Sequence, residues 1–173
     1  MQITYDNKFS IGTIKETIDV LSAEEYRAIV NERALTHSSV NPALLGTAST
    51  DWQDEIYRSA QIQRYSLSVS GGDEKMNYCI SANHSNQEGI IINSNYQKTG
   101  LRANVGVSSG KFKIGLNLAP SFTLENRVNA DDAWHTDGVV QAALSYSPTW
   151  PVYNPDGTFN YQGNGFWRTP IDY

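Results

Sequence analysis

The strongest constraint on this chain is an alternation of side chains that recurs along it. In residues 111–124, Phe112, Ile114, Leu116, Leu118, Phe122 and Leu124 share one parity, while Lys111, Lys113, Gly115, Asn117, Ser121 and Thr123 share the other. A period of two places such sets on opposite faces of a β-strand. Pro120 is the one blemish, and proline in a strand marks an edge, a bulge or an end. Residues 2–11 repeat the pattern, with Ile3, Tyr5, Phe9 and Ile11 against Gln2, Thr4, Asp6, Lys8 and Ser10; only Asn7 departs from it. Residues 63–70 set Tyr65, Leu67 and Val69 against Arg64, Ser66, Ser68 and Ser70. Residues 76–85 set Met76, Tyr78, Ile80 and Ala82 against Asn77, Cys79, Ser81 and Asn83. Residues 98–107 set Thr99, Leu101, Ala103, Val105 and Val107 against Lys98, Gly100, Arg102, Asn104 and Gly106. The expected fold is all-β, an antiparallel meander of about five strands.

The connections add a second constraint. Gly71-Gly72-Asp73-Glu74-Lys75 and Ser108-Ser109-Gly110 are short turns, whereas 12–62, 86–97 and 125–173 are long. Long and short connections therefore alternate. Outer-membrane β-barrels sort their loops this way, with tight turns at one rim and long loops at the other. A β-sandwich meander has no reason to do so. In a barrel the apolar face would meet lipid and the polar face a wet lumen; in a soluble sheet the polar face would meet water. Alternation alone does not choose between them, and the loop parity favours the barrel. The lumen-facing set would then include Arg64, Ser66, Ser68, Asn77, Ser81, Arg102, Asn104, Lys113 and Asn117.

The first long connection carries helix signals. Ser22 and Glu25 have the spacing of a capping box, flanked by Leu21 and Tyr26 as a hydrophobic staple. That helix is expected to run to Asn31 or Arg33, with Ile29 and Val30 as its apolar stripe. A second short helix is expected from Thr50-Asp51-Trp52, with Trp52 and Ile56 on one face. The tail reads as irregular, with a turn at Asn154–Gly157.

Composition removes several classes. Mean hydropathy is −0.46, and no stretch approaches the roughly 20 apolar residues of a membrane-spanning helix. The 13 Lys and Arg form no cluster and the net charge is −5, which argues against a nucleic-acid partner. Cys79 stands alone, so there is neither a disulfide framework nor metal-knuckle spacing. The N-terminus lacks a signal peptide, so the chain is cytoplasmic unless Met1 is not its natural beginning. No catalytic, metal or cofactor motif stands out. His37, His84 and His135 are scattered, and Asp131, Asp132 and Asp137 read as a solvated acidic loop around Trp134 and His135. Asn154-Pro155-Asp156-Gly157 reads as a turn, without the donors of a calcium loop.

Seven segments in order resemble the SusC/RagA-type TonB-linked outer-membrane proteins. They are Leu21–Tyr26, Thr50-Asp51-Trp52-Gln53-Asp54-Glu55-Ile56-Tyr57-Arg58, Leu67-Ser68-Val69-Ser70-Gly71-Gly72, the pair Glu74–Tyr78 and Asn86–Ile90, Leu101–Val105, Lys113–Leu118, and Ser147-Pro148-Thr149-Trp150-Pro151-Val152-Tyr153-Asn154-Pro155-Asp156-Gly157. The resemblance implies a barrel of about 22 strands around an N-terminal plug. Five strands cannot close, since the smallest such barrels have about eight. The chain is thus expected to be a piece of a barrel domain, without plug, TonB box or remaining strands, and with short helices in its first long extracellular loop. The resemblance also implies a location in the outer membrane, contact with its lipid, and no enzymatic activity. Its implied partners are a SusD-like surface lipoprotein and the TonB complex. Its implied cargo is a glycan or peptide, with oligosaccharides favoured. No cofactor, metal or substrate-binding residue is transferred, since the matched motifs are structural. Trp52 is expected to be a packing anchor. The alternatives are a soluble carbohydrate-binding β-sandwich and a β-sandwich glycosidase, the latter needing two carboxylates brought close together.

Overall fold

The computed structural model describes residues 1–128, 138–161 and 170–171. One unit comprises Met1–Thr13 and Ser59–Arg127, the other Ile14–Arg58 and Val128–Tyr173.

The first unit is one antiparallel sheet. Its strands are β1 (Gln2–Gly12), β2 (Ala60–Gly72), β3 (Met76–Glu88), β4 (Asn95–Ser109), β5 (Phe112–Leu118) and β6 (Ser121–Asn126). They pair in sequence order from β1 to β5, and β6 also pairs with β4. Tight turns after β2 and β4 can join only antiparallel neighbours, which fixes this order locally. Cross-strand partners share a face. Ile3, Val69, Ile80, Ala103 and Leu118 therefore make one apolar row, and Tyr5, Leu67, Ala82 and Leu101 the next.

The apolar face is not a core. Ile3, Tyr5, Leu67, Ile80, Leu101, Ile114 and Phe122 are all exposed, Leu101 by 55% and Ile114 by 70%. A β-sandwich would bury this face against a second sheet, and among the described residues no second sheet exists.

The strands differ from the sequence expectation at two places. First, β2, β3 and β4 run further towards the long connections, and the link between β3 and β4 shrinks to residues 89–94. The reason is chemical. In those outer turns of the ladder the apolar side carries Gln61, Gln63, Asn86, Glu88, Asn95 and Gln97, so backbone pairing continues after alternation stops. Second, the expected strand 111–124 is two strands, β5 and β6, in one register with β4. Leu101 N–H donates to the Pro120 carbonyl at 3.0 Å. The reciprocal bond is impossible because proline has no N–H.

The second unit holds most of the buried residues. Helix α1 (Ala23–Ala34) starts with the expected capping box at Ser22 and Glu25. Its apolar stripe does not form, since Ala23 is its one buried residue. Arg27 anchors it instead, donating through Nε to the Gly46 carbonyl at 3.2 Å and through Nη2 to that of Ala48. Helix α2 (Trp52–Ile56) buries Trp52, Gln53 and Ile56. A 3-10 turn at Pro42–Leu44 and helix α3 (Val139–Ser145) were not anticipated. Val139, Ala142 and Ala143 of α3 are buried.

Candidate functional site

Two regions carry the polar chemistry: the polar face of the sheet and the segments around α2. On the sheet, Arg64 pairs with Ser85, Ser66 with Asn83, and Ser68 with Ser81. Ser81 pairs with Arg102, Asn77 with Gly106, and Asn104 with Asn117; Lys113 faces Ser108. All nine residues singled out from the sequence thus share the face opposite the apolar rows. Lys8, directly opposite Arg64, and Lys98, opposite Ser85, belong to it as well. Against these cations the strands set only Asp6 and Glu125 on that face, and Glu125 is held by Arg127 at 2.8 Å. An open groove of about 370 Å³ lies over Asp6, Lys8, Arg64, Ser66, Asn83 and Ser85.

Around α2 every residue of the Thr50–Gln53 run has a structural task. Asp51 caps the helix, accepting from the Gln53 N–H at 2.9 Å and the Asp54 N–H at 3.3 Å. Trp52 donates from Nε1 to the Ser147 carbonyl at 3.0 Å and meets Tyr146 edge-on, with ring centroids 4.9 Å apart. Gln53 behaves like a strand residue: its Nε2 donates to the Ile18 carbonyl at 2.7 Å and its Oε1 accepts the Ile18 N–H at 3.0 Å. Thr50 donates from Oγ1 to the Trp150 carbonyl at 2.6 Å, and its N–H donates to the Pro148 carbonyl at 2.9 Å. Two motifs about a hundred residues apart are therefore stapled to one another, and Trp52 is a packing anchor.

The shifted titrations outside the sheet are local. Glu25 is held below its ordinary value, first by the backbone N–H of Ser22 and then by its hydroxyl. Asp73, in the β2–β3 turn, is lowered by the N–H groups of Lys75 and Met76, both at 2.8 Å. Asp156 is lowered by the hydroxyl and N–H of Thr158. Each carboxylate organises a cap or a turn. No group of three metal-ligating side chains converges among the described residues. The acidic loop Asp131, Asp132 and Asp137, with His135, lies outside the described residues.

No family model matches the chain. Individual proteins do. It is 33% identical over 164 residues to TonB-dependent receptor P3 of Formosa agariphila, a match covering 92% of this chain and 16% of that protein. It is 31% identical over 166 residues to TonB-dependent receptor SusC of Bacteroides thetaiotaomicron, covering 96% of this chain and 16% of SusC. The fold matches a chain in the solved structure of the RagAB peptide transporter with a TM-score of 0.70 at 14% identity, over 91% of this chain and 21% of that one. The chain belongs to the SusC/RagA family.

The chain spans about one sixth of the length of the curated relatives it matches. Those relatives are receptors rather than enzymes, and SusC-like receptors are outer-membrane proteins. Within this SusC/RagA segment the recognisable motifs mark staples and turns. Thr50–Gln53 grips Ser147–Trp150, and Gly89 N–H closes the β3–β4 link on the Ser94 carbonyl at 2.9 Å. Sequence reasoning placed Lys8 and Lys98 on the polar side of their strands but not in one row with Arg64; pairing register was the signal that could have found it.

Proposed function

We propose that this SusC/RagA chain is a stretch of the barrel wall of a TonB-dependent outer-membrane importer. Its apolar face meets lipid. Its polar face, with Arg64, Ser66, Ser68, Asn77, Ser81, Arg102, Asn104, Lys113 and Asn117, lines the lumen. A SusD-like surface lipoprotein and the TonB complex are the proposed partners of the whole protein, and an oligosaccharide its proposed cargo. The likeness to the RagAB peptide transporter is one of fold and does not extend to its cargo.

The height of the exposed apolar face carries this reading. It runs from Phe112 to Leu124 along one ladder. Twelve residues at about 3.4 Å each, tilted by about 40°, rise roughly 31 Å, close to the hydrocarbon core of a bilayer at about 30 Å. Tyr65, Phe122 and Phe9 lie towards its end at the long connections, and Phe112 ends it at the turns, the positions of aromatic girdles. Beyond Tyr65 the same face turns to Gln63, Asn86 and Gln97 on the three central strands, while Phe9 and Ile11 of β1 and Leu124 of β6 carry it further at the two edges.

Cysteine labelling of the full-length protein in outer membranes tests it. Native Cys79 lies on the polar face and should react with a water-soluble maleimide. With Cys79 replaced by serine, Leu101→Cys should react only with a lipophilic reagent and Arg102→Cys with the water-soluble one. The reverse pattern would refute the assignment of faces.

A further inference from the structure

Five cations on one sheet face stand out in a chain whose net charge is −5. Lys8 and Arg64 lie directly opposite one another, with Cβ atoms about 5 Å apart, an arrangement that is destabilising for like charges. Lys98 continues the same row across Ser85. No side chain of the three makes a hydrogen bond or ion pair with a described residue. The row lies near the strand ends from which the long connections leave. The groove above Lys8 and Arg64 offers more than charge. Ser66, Asn83 and Ser85 supply hydroxyl and amide groups, Asp6 is its one acid, and Tyr96 lies two residues along β4 from Lys98 on the same face. Paired cations suit carboxylates. Hydroxyls and an amide suit sugar hydroxyls, and an aromatic ring suits the flat face of a pyranose.

We propose that Lys8, Arg64 and Lys98 form a carboxylate seat in the lumen wall, and that the cargo is an acidic oligosaccharide entering from the loop side. The proposal rests on the reading of this face as the lumen wall. A row of fixed cations in a confined channel concentrates anionic solutes and rejects cationic ones. It also explains why the unpaired charges are tolerated: bound carboxylates relieve the repulsion that the sheet register imposes.

The test compares two probes of one length, trigalacturonate and galactotriose, titrated calorimetrically into the detergent-solubilised full-length protein. Trigalacturonate should bind at least about tenfold more tightly, the scale of one charge-assisted hydrogen bond, and more weakly as salt rises. Combined Lys8→Gln and Arg64→Gln substitution should abolish the preference. Lys75→Gln, in the β2–β3 turn, should leave it intact. Should the double variant fail to fold, trigalacturonate must instead protect Lys8 of the unaltered protein from a water-soluble acylating reagent, and galactotriose must not. Equal affinities, no binding of either probe, an unchanged double variant, or a Lys8 already shielded without ligand would overturn the proposal. The cysteine labelling reports separately on the lumen assignment, so its failure is distinguishable from that of the carboxylate seat.

Discussion

Gly46 lies so close to the Thr149 carbonyl oxygen that a Cβ built on it would sit 2.2 Å away. Its N–H donates to Thr149 Oγ1 at 3.1 Å, while Arg27 grips its carbonyl from the other side. Neither side can yield without breaking a staple. Gly46→Ala is expected to destabilise this unit by about 1–3 kcal/mol, the usual range for overpacking a filled site. Faster proteolysis between residues 14 and 58, with the sheet unaffected, would show it; unchanged proteolysis would not fit. Glu25 gives a pH prediction. Its carboxyl is depressed by the Ser22 N–H and hydroxyl. A depressed carboxyl stabilises the fold above its unfolded pKa and loses that contribution as pH falls through the folded value. The protection factors of amides at the start of α1, corrected for the intrinsic pH dependence of exchange, should therefore be steady from neutral pH to about pH 5 and fall below about pH 4.5. Glu25→Gln should abolish that acid-side change.

Among the elements, Pro120 isolates what one missing donor does. The register between β4 and the chain is the same on both sides of it, yet β5 and β6 are separate because the Leu101 carbonyl receives no hydrogen bond there. Pro120→Val keeps an apolar residue on the exposed face and restores the donor. It should join the two strands, slow exchange at residue 120, and add about 0.5–1.5 kcal/mol of stability. No gain in protection would show that a bulge, rather than the absent N–H, divides the strand. The elements also show what a sequence can disclose. Strand parity, the Ser22 capping box and the pairing of Trp52 with Ile56 were legible because they depend on neighbours within a few residues. The outer ends of β2, β3 and β4 were not, because polar residues there occupy both faces while the backbone ladder continues. Helix α3 leaves only a short i, i+3, i+4 trace in Val139, Ala142 and Ala143, which sequence reasoning missed, and the grip of Gln53 on Ile18 was not legible because its partner is distant in sequence. The candidate polar face was visible as an alternation, but the row joining Lys8, Arg64 and Lys98 exists only once the register is known.

The sheet has two outer edges, β1 on one side and β5 with β6 on the other, and each outer strand offers one unpaired row of backbone groups. An exposed apolar face and open edges together are what lipid and further strands would cover. The same geometry makes the two faces respond in opposite ways to a change of charge. Leu101 and Arg102 are consecutive, so they differ in face but hardly in height. Leu101→Arg in the full-length protein should cost about 2–4 kcal/mol if it lies near the middle of the lipid layer. Arg102→Leu removes a charge from a wet surface and should change stability by about 0.5 kcal/mol or less. Reversible unfolding in detergent-free lipid vesicles would measure both. A soluble sheet would give another ordering, with Leu101→Arg nearly neutral because its side chain would already face water. Equal effects of the two substitutions would therefore count against a membrane wall, while a difference of several kcal/mol would follow from lipid on the Leu101 face and water on the Arg102 face.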